Sequence, residues 1–507
     1  MNQNRITFRS AFAMAIAAMI IITGDSVLAA NGTWTQTGTG GTWSDTGNWS
    51  GGTVAGGSGS TADFSTIDIT ADNTVHLDTS RTISGLTFGD TDTGTAAGWV
   101  LDDNGNPANV LTLGSAPTIT VNDLGAGKSV EISAGIAGTA GLTLTKEGDG
   151  TLTLSGGGNL GGILQVNGGT VTIADGTLAS RWFFADNGGH ILVTGGVWTV
   201  TCNNTIPTIG SKNVAGATAH YTQTGGSVAL TSVSPLLRTS EQAIQKGDLT
   251  FSGGTFSAGW IVIGMRGDST ATISDAALVS LSVAFDFGHS KYIGDPGARV
   301  LNLGDGVNFD GGSSINDGGT SGILATPIVR RRVWWRNPVA TFNFNGGTLR
   351  ATADSADYML DLVVVSVQDS GGIIDNDGHA ITITKPLLHG GVADTDGGLV
   401  FKGAGTTTLG GVNTYTGPTT IEAGTLAMAV GSDLHDDTAV VIKTGAKLQL
   451  DENITVYSLT FDSKGQLGGT WGAVGSGATH EDAFFDGAGI LTVIYSEPIR
   501  GTVIIVQ

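Results

Sequence analysis

The feature that most constrains this chain is a recurring corner, a Gly-Gly pair followed by Thr, Ser or Val and then a large apolar residue. It stands at Gly168-Gly169-Thr170-Val171, Gly195-Gly196-Val197-Trp198, Gly225-Gly226-Ser227-Val228, Gly253-Gly254-Thr255-Phe256 and Gly346-Gly347-Thr348-Leu349. Successive starts lie 27, 30, 28 and 93 residues apart, the last being three steps of about 31. Between corners, apolar and polar residues alternate in short runs, as in Leu142 to Thr145, Leu152 to Leu154, Leu164 to Val166 and Val171 to Ile173. Period-two alternation makes strands with leucines on one side and threonines on the other. Strands this short cannot bury a face alone, so they must stack on copies of themselves.

A period near 30 fits one coil of three short strands and their corners. The pattern therefore predicts an all-β chain folded as a right-handed parallel β-helix. Roughly 15 to 17 coils at ~4.8 Å each would give a rod on the order of 75 Å long. Propeller blades repeat every ~40 to 50 residues, and a sandwich lacks the longer superimposed period. The expected organisation is a signal peptide at 1–29, an irregular β region at 30–130 where the solenoid starts, the β-helix proper at 131–450, and a C-terminal β cap or tail at 451–507.

Composition agrees by exclusion. The chain has 82 glycines in 507 residues but only 10 prolines, which rules out collagen, and 40% hydrophobic with 13% charged residues rules out a disordered chain. Cys202 stands alone, so no intrachain disulfide forms. The formal net charge of -21 disfavours nucleic acid and anionic membrane as partners. Arg5 and Arg9 precede an apolar run from Ala11 to Ile22, which ends near Val27-Leu28-Ala29. This is the layout of a secretory signal peptide cleaved after Ala29 or Ala30, and the run is short for a membrane anchor. No later segment is long and apolar enough to span a membrane as a helix. The mature chain is expected to be secreted or held at the surface of a bacterial cell envelope.

Two segments, 141–174 and 399–429, align without a gap. Gly148, Gly150, Thr151, Leu154, Gly156, Gly162 and Gly169 coincide with Gly403, Gly405, Thr406, Leu409, Gly411, Gly417 and Gly424. The second copy also carries the turn Asn413-Thr414-Tyr415-Thr416-Gly417. These segments resemble the autotransporter-associated β-strand repeat family, found in large exported bacterial β-helix proteins. The resemblance implies an exported passenger-type solenoid, with Gly148, Gly150, Leu154, Gly169, Gly403, Gly405, Leu409 and Gly424 as its structural residues. A complete autotransporter ends in a membrane β-barrel of many alternating strands, and the tail to Gln507 shows no such pattern. The label therefore describes the repeat, and a repeat specifies architecture rather than activity.

Three clusters carry candidate chemistry. Arg330, Arg331, Arg332, Trp334, Trp335 and Arg336 combine guanidinium groups with indoles, which suits an acidic glycan but equally an alternating strand packed on the rod's flank. Asp286, His289, Lys291, Tyr292 and Asp295 mix the residue types that a calcium-assisted polysaccharide lyase needs, without a recognised spacing. The acidic turns at Asp90/Asp92, Asp102/Asp103, Asp375/Asp377 and Asp394/Asp396 resemble fragments of calcium loops, although Asp is also a common turn-capping residue. Structural calcium is thus the one cofactor to consider. Trp34, Trp43 and Trp49 are expected to cap the N-terminal coil. The expected role is a noncatalytic adhesin-like or envelope component that contacts glycans through rows of Thr and Asn, with a pectate-lyase-like enzyme or a glycan-binding module as the alternatives.

Overall fold

The computed structural model describes residues 29–202, 206–210, 217–232, 235–240, 246–264, 268–288, 298–304, 322–331 and 339–495. The first repeat shows how the chain coils. Strands Thr143–Glu147, Thr151–Leu154 and Gly158–Asn159 follow one another around three faces. Ile163–Val166, Thr170–Ile173 and Thr177–Ser180 then lie directly on them, all in parallel pairing. On the third face fifteen successive parallel pairings link sixteen strands, from Arg81 to Phe461. The chain is a parallel β-solenoid.

The expected even period of 30 is corrected by the register. Thr177 stacks on Val197, a step of 20 residues, and Val197 stacks on Ser227, a step of 30. The spacing of 27 between Gly168 and Gly195 compares different corners: Gly169 rests on Gly150, whereas Gly196 rests on Gly176. The interval of 93 does contain three coils, but Thr255 to Leu278, Leu278 to Ile323 and Ile323 to Thr348 are unequal. Strand stacking fixes only the paired residues, so corners lengthen freely at the cost of loop entropy, which grows slowly with length.

The core is a set of inward ladders. On the second face Leu152, Val171, Ile191, Tyr221, Leu249, Ala271, Leu301, Phe342 and Val365 stand in register, all buried. Each large apolar member contributes about 1.5–3 kcal/mol of burial.

At both ends of the described stack the parallel pairing gives way to antiparallel pairing. Trp34, Trp43 and Trp49 are buried at the N-terminal end, where Trp34 meets Trp49 edge-on at 5.1 Å, and antiparallel bridges Ala30–Gly56 and Trp34–Trp49 interrupt the parallel edge. At the other end Gly469–Gly472 runs antiparallel to Leu491–Val493, and Phe461 stacks on Phe484 at 4.2 Å. Open parallel edges invite association with other chains, and this antiparallel pairing interrupts them.

The third face also carries a row of alternating charge. Arg350, Asp375 and Lys402 stand in register, and Arg350 donates Nε to Asp375 at 2.9 Å. Glu422, Lys443 and Asp462 continue the row, their N–H groups bonding to Phe401, Ile421 and Ile442 one coil below. Every neighbour along this row has the opposite sign, which favours native register over a slipped one.

Candidate functional site

The repeat glycines occupy corners where successive coils touch through backbone. Gly169 has φ +58, and a Cβ there would lie 2.4 Å from the Gly150 carbonyl oxygen. Gly424 repeats the arrangement at φ +65, with its Cβ position 2.3 Å from the oxygen of Gly403 and 2.4 Å from that of Gly405. Positive φ and this closeness both demand glycine. Leu154 and Leu409 are buried at the ends of the strands that these corners open.

The turn of the second copy is spent on stacking in the same way. Asn413 accepts from the Leu387 N–H and donates to the carbonyls of Gly411 and Asp433, which binds three coils together. Tyr415 is buried, with its hydroxyl 2.6 Å from Thr419. The buried Asp396 carboxylate accepts from the N–H groups of Thr416, Gly417 and Gly398 and from His389 Nδ1 at 2.9 Å. These residues satisfy backbone groups that would otherwise be buried without partners.

Lys146 is the exception inside the core. It takes an inward ladder position between Ile119 and Val166 and is fully buried. Its ammonium donates to the carbonyls of Glu147 and Gly148, both at 2.8 Å, and of Gly168 at 3.3 Å. Burial pulls its pKa down to about 8, partly opposed by Asp149 and Glu147. Lys146 directly follows the alternating run Leu142 to Thr145, and nothing in the sequence indicates that carbonyls from two corners converge there.

The two charged clusters meet. Asp286 stands in register with Arg330 on the adjacent coil, its side chain fully buried, and accepts from Arg330 Nε at 2.6 Å and Nη2 at 3.4 Å. Arg331 lies opposite Phe287. Arg332, Trp334, Trp335 and Arg336 lie outside the described residues, as do His289, Lys291, Tyr292, Asp295 and the signal segment. The Arg330 guanidinium is therefore engaged by protein.

The acidic turns also use their carboxylates internally. Asp90 accepts from the N–H groups of Ile69 and Asp92, Asp102 from Asn104 and His76, and Asp375 from Asp377 and Arg350. Among the described residues no group of three or more His, Cys, Asp or Glu side chains converges as a metal cage. Cys202 is buried, and burial pushes its thiol up to about 12, far from a reactive thiolate.

What the rod does present is a long row on the second face that is polar except at Leu192. Glu131, Thr153, Thr172, Leu192, Thr222, Thr250, Thr272, Asn302, Asn343 and Ser366 stand on ten successive coils. Its accessible part includes Thr153, Thr222, Thr250 and Thr272. Asn302, Asn343 and Ser366 are buried and bond to one another, Asn343 Nδ2 to Asn302 at 2.9 Å and Ser366 to Asn343 at 2.7 Å, so the Asn part of the row is internal glue.

Equivalent strands of the two repeat copies lie on different faces. Thr151–Leu154 is on the second face, while Thr406–Leu409 stacks on Ala380–Ile383, which itself stacks on the segment of Tyr358 and so continues the first face through Val329. The repeat is thus a unit of strand and corner that starts on the first face in one copy and on the third in the other. No curated protein and no solved structure matches the chain. A family described as passenger-associated-transport-repeat matches residues 144–179 and 399–428, so the chain is a β-solenoid that carries this autotransporter passenger repeat in two copies.

Proposed function

We propose that the chain is an exported, noncatalytic solenoid that acts at or beyond the bacterial cell surface as an extended contact element, adhesin-like or part of an envelope layer. The observation that carries this reading is the expenditure of the repeat's motif residues on coil stacking: Gly169 and Gly424 let successive corners touch, Asn413 binds backbone of adjacent coils and Tyr415 fills the core. A rod of stacked coils with hydroxyls on its flank is suited to reach and multivalent contact. Glycans are the proposed partner class, because rows of hydroxyls exchange hydrogen bonds with polyols and the acidic chain repels nucleic acid. Purified chain incubated with insoluble polysaccharides and whole cells is expected to bind them without releasing unsaturated or reducing-end products from polygalacturonate, calcium included. Catalytic release of such products would overturn the noncatalytic reading.

A further inference from the structure

On the first face near the second repeat, three successive coils form a groove of about 330 Å³ lined by Asp354, Ser355, Ala356, Ala380, Thr382, Thr406 and Thr408. Ala380 lies opposite Thr406 and Thr382 opposite Thr408, so the Thr382 and Thr408 hydroxyls stand one coil step apart, ~4.8 Å, with Thr406 on the same strand as Thr408. Segment 354–356 makes the wall. Asp354 Oδ1 is fixed by the Ala380 N–H at 3.0 Å and His379 Nδ1 at 3.2 Å. The Ala380 hydrogen bond first, then His379, hold this carboxyl below its ordinary range, so it is ionised at neutral pH.

We propose that this groove is a subsite for neutral saccharide units of a glycan chain, an inference that rests on the contact reading above and names its ligand class. The hydroxyls of Ser355, Thr382, Thr406 and Thr408 point to a polyol, and Asp354 accepts from adjacent sugar hydroxyls through charge-assisted hydrogen bonds. The same carboxylate excludes uronates, sulfated sugars and phosphates. Ala356, Ala380 and Ile381 lie among the hydroxyls, and this even mixture of apolar and polar lining suits the C–H faces and hydroxyls of a sugar ring. A single carboxylate beside four hydroxyls also suits a neutral polyol better than a polycation.

The test is saturation-transfer NMR on the full chain with hexasaccharides of glucose, mannose and galactose, and with trigalacturonate as the anionic probe. Thr382→Val with Thr408→Val, and separately Asp354→Asn, remove groove hydroxyls or charge while preserving strand shape; circular dichroism and melting check the fold. Thr151→Val with Thr153→Val alters the second face as a control. The expected result is binding of a neutral hexasaccharide, weakened about tenfold or more by either groove variant and unchanged by the control. Binding that is insensitive to the groove variants but lost in the control overturns the groove and leaves the contact reading standing. Preference for trigalacturonate overturns the proposed ligand class. If no hexasaccharide binds yet the chain still coats insoluble polysaccharide, the groove inference alone fails; if both are negative, glycan contact fails with it.

Discussion

Arg330 donates its Nε to the buried carboxylate of Asp286 at 2.6 Å, across one coil step and 44 positions of sequence. Removing one partner leaves the other charge buried in a setting built for the pair. Arg330→Met is expected to cost about 3 kcal/mol or more, and combining it with Asp286→Leu should recover most of that loss. Urea unfolding of the two single variants and the double variant measures the coupling. Additive losses would contradict a direct pair.

Gly169 offers a separate check on how coils touch. Gly169→Ala combines strained φ with a clash against the Gly150 carbonyl, so it is expected to cost at least about 2 kcal/mol. Gly188 has φ +78 but nothing within 4 Å of its Cβ position, and Gly188→Ala should cost nearer ~1 kcal/mol. Comparison of the two melting temperatures separates close approach from backbone strain.

Lys146 makes stability depend on pH with a definite sign. Its pKa falls from 10.5 in the unfolded chain to about 8 in the fold, so between these values the unfolded state binds more protons and stability rises with pH. The contribution of this side chain is expected to become more favourable by about 2 kcal/mol from pH 7 to pH 10. Cys202 and Tyr221, whose pKa values burial raises, act in the opposite direction at the alkaline end. The measurement is therefore the stability difference between the native chain and Lys146→Met at each pH, which isolates the lysine.

The alternating charge row predicts a salt-sensitive effect. Lys402→Glu places three acids in succession with Asp375 and Glu422, and should cost about 1 kcal/mol at low ionic strength, most of it relieved in concentrated salt.

The solenoid was legible because two signals are local. Alternation set inward and outward residues, and Gly-Gly corners marked strand ends. The coil length was less legible: a corner at Gly168 and one at Gly195 look alike in sequence but belong to different stacks. Contacts across coils were hidden for the same reason. Asp286 and Arg330 read as members of two unrelated clusters, and Asn343 reads as an exposed polar residue although Asn302 and Ser366 enclose it in a buried network. Pairing between coils depends on the intervening corner lengths, which alternation does not specify. The groove at Asp354 was missed because its residues come from three coils and no single stretch carries a motif.

Export is the central claim, and protease shaving of intact producing cells, with fractionation of envelope, medium and cytosol, tests it most directly. The expected result is recovery of peptides from the 81–461 stack at the cell surface or in the medium while cytosolic markers stay intact. Recovery of the stack only from the cytosolic fraction after lysis would contradict the account.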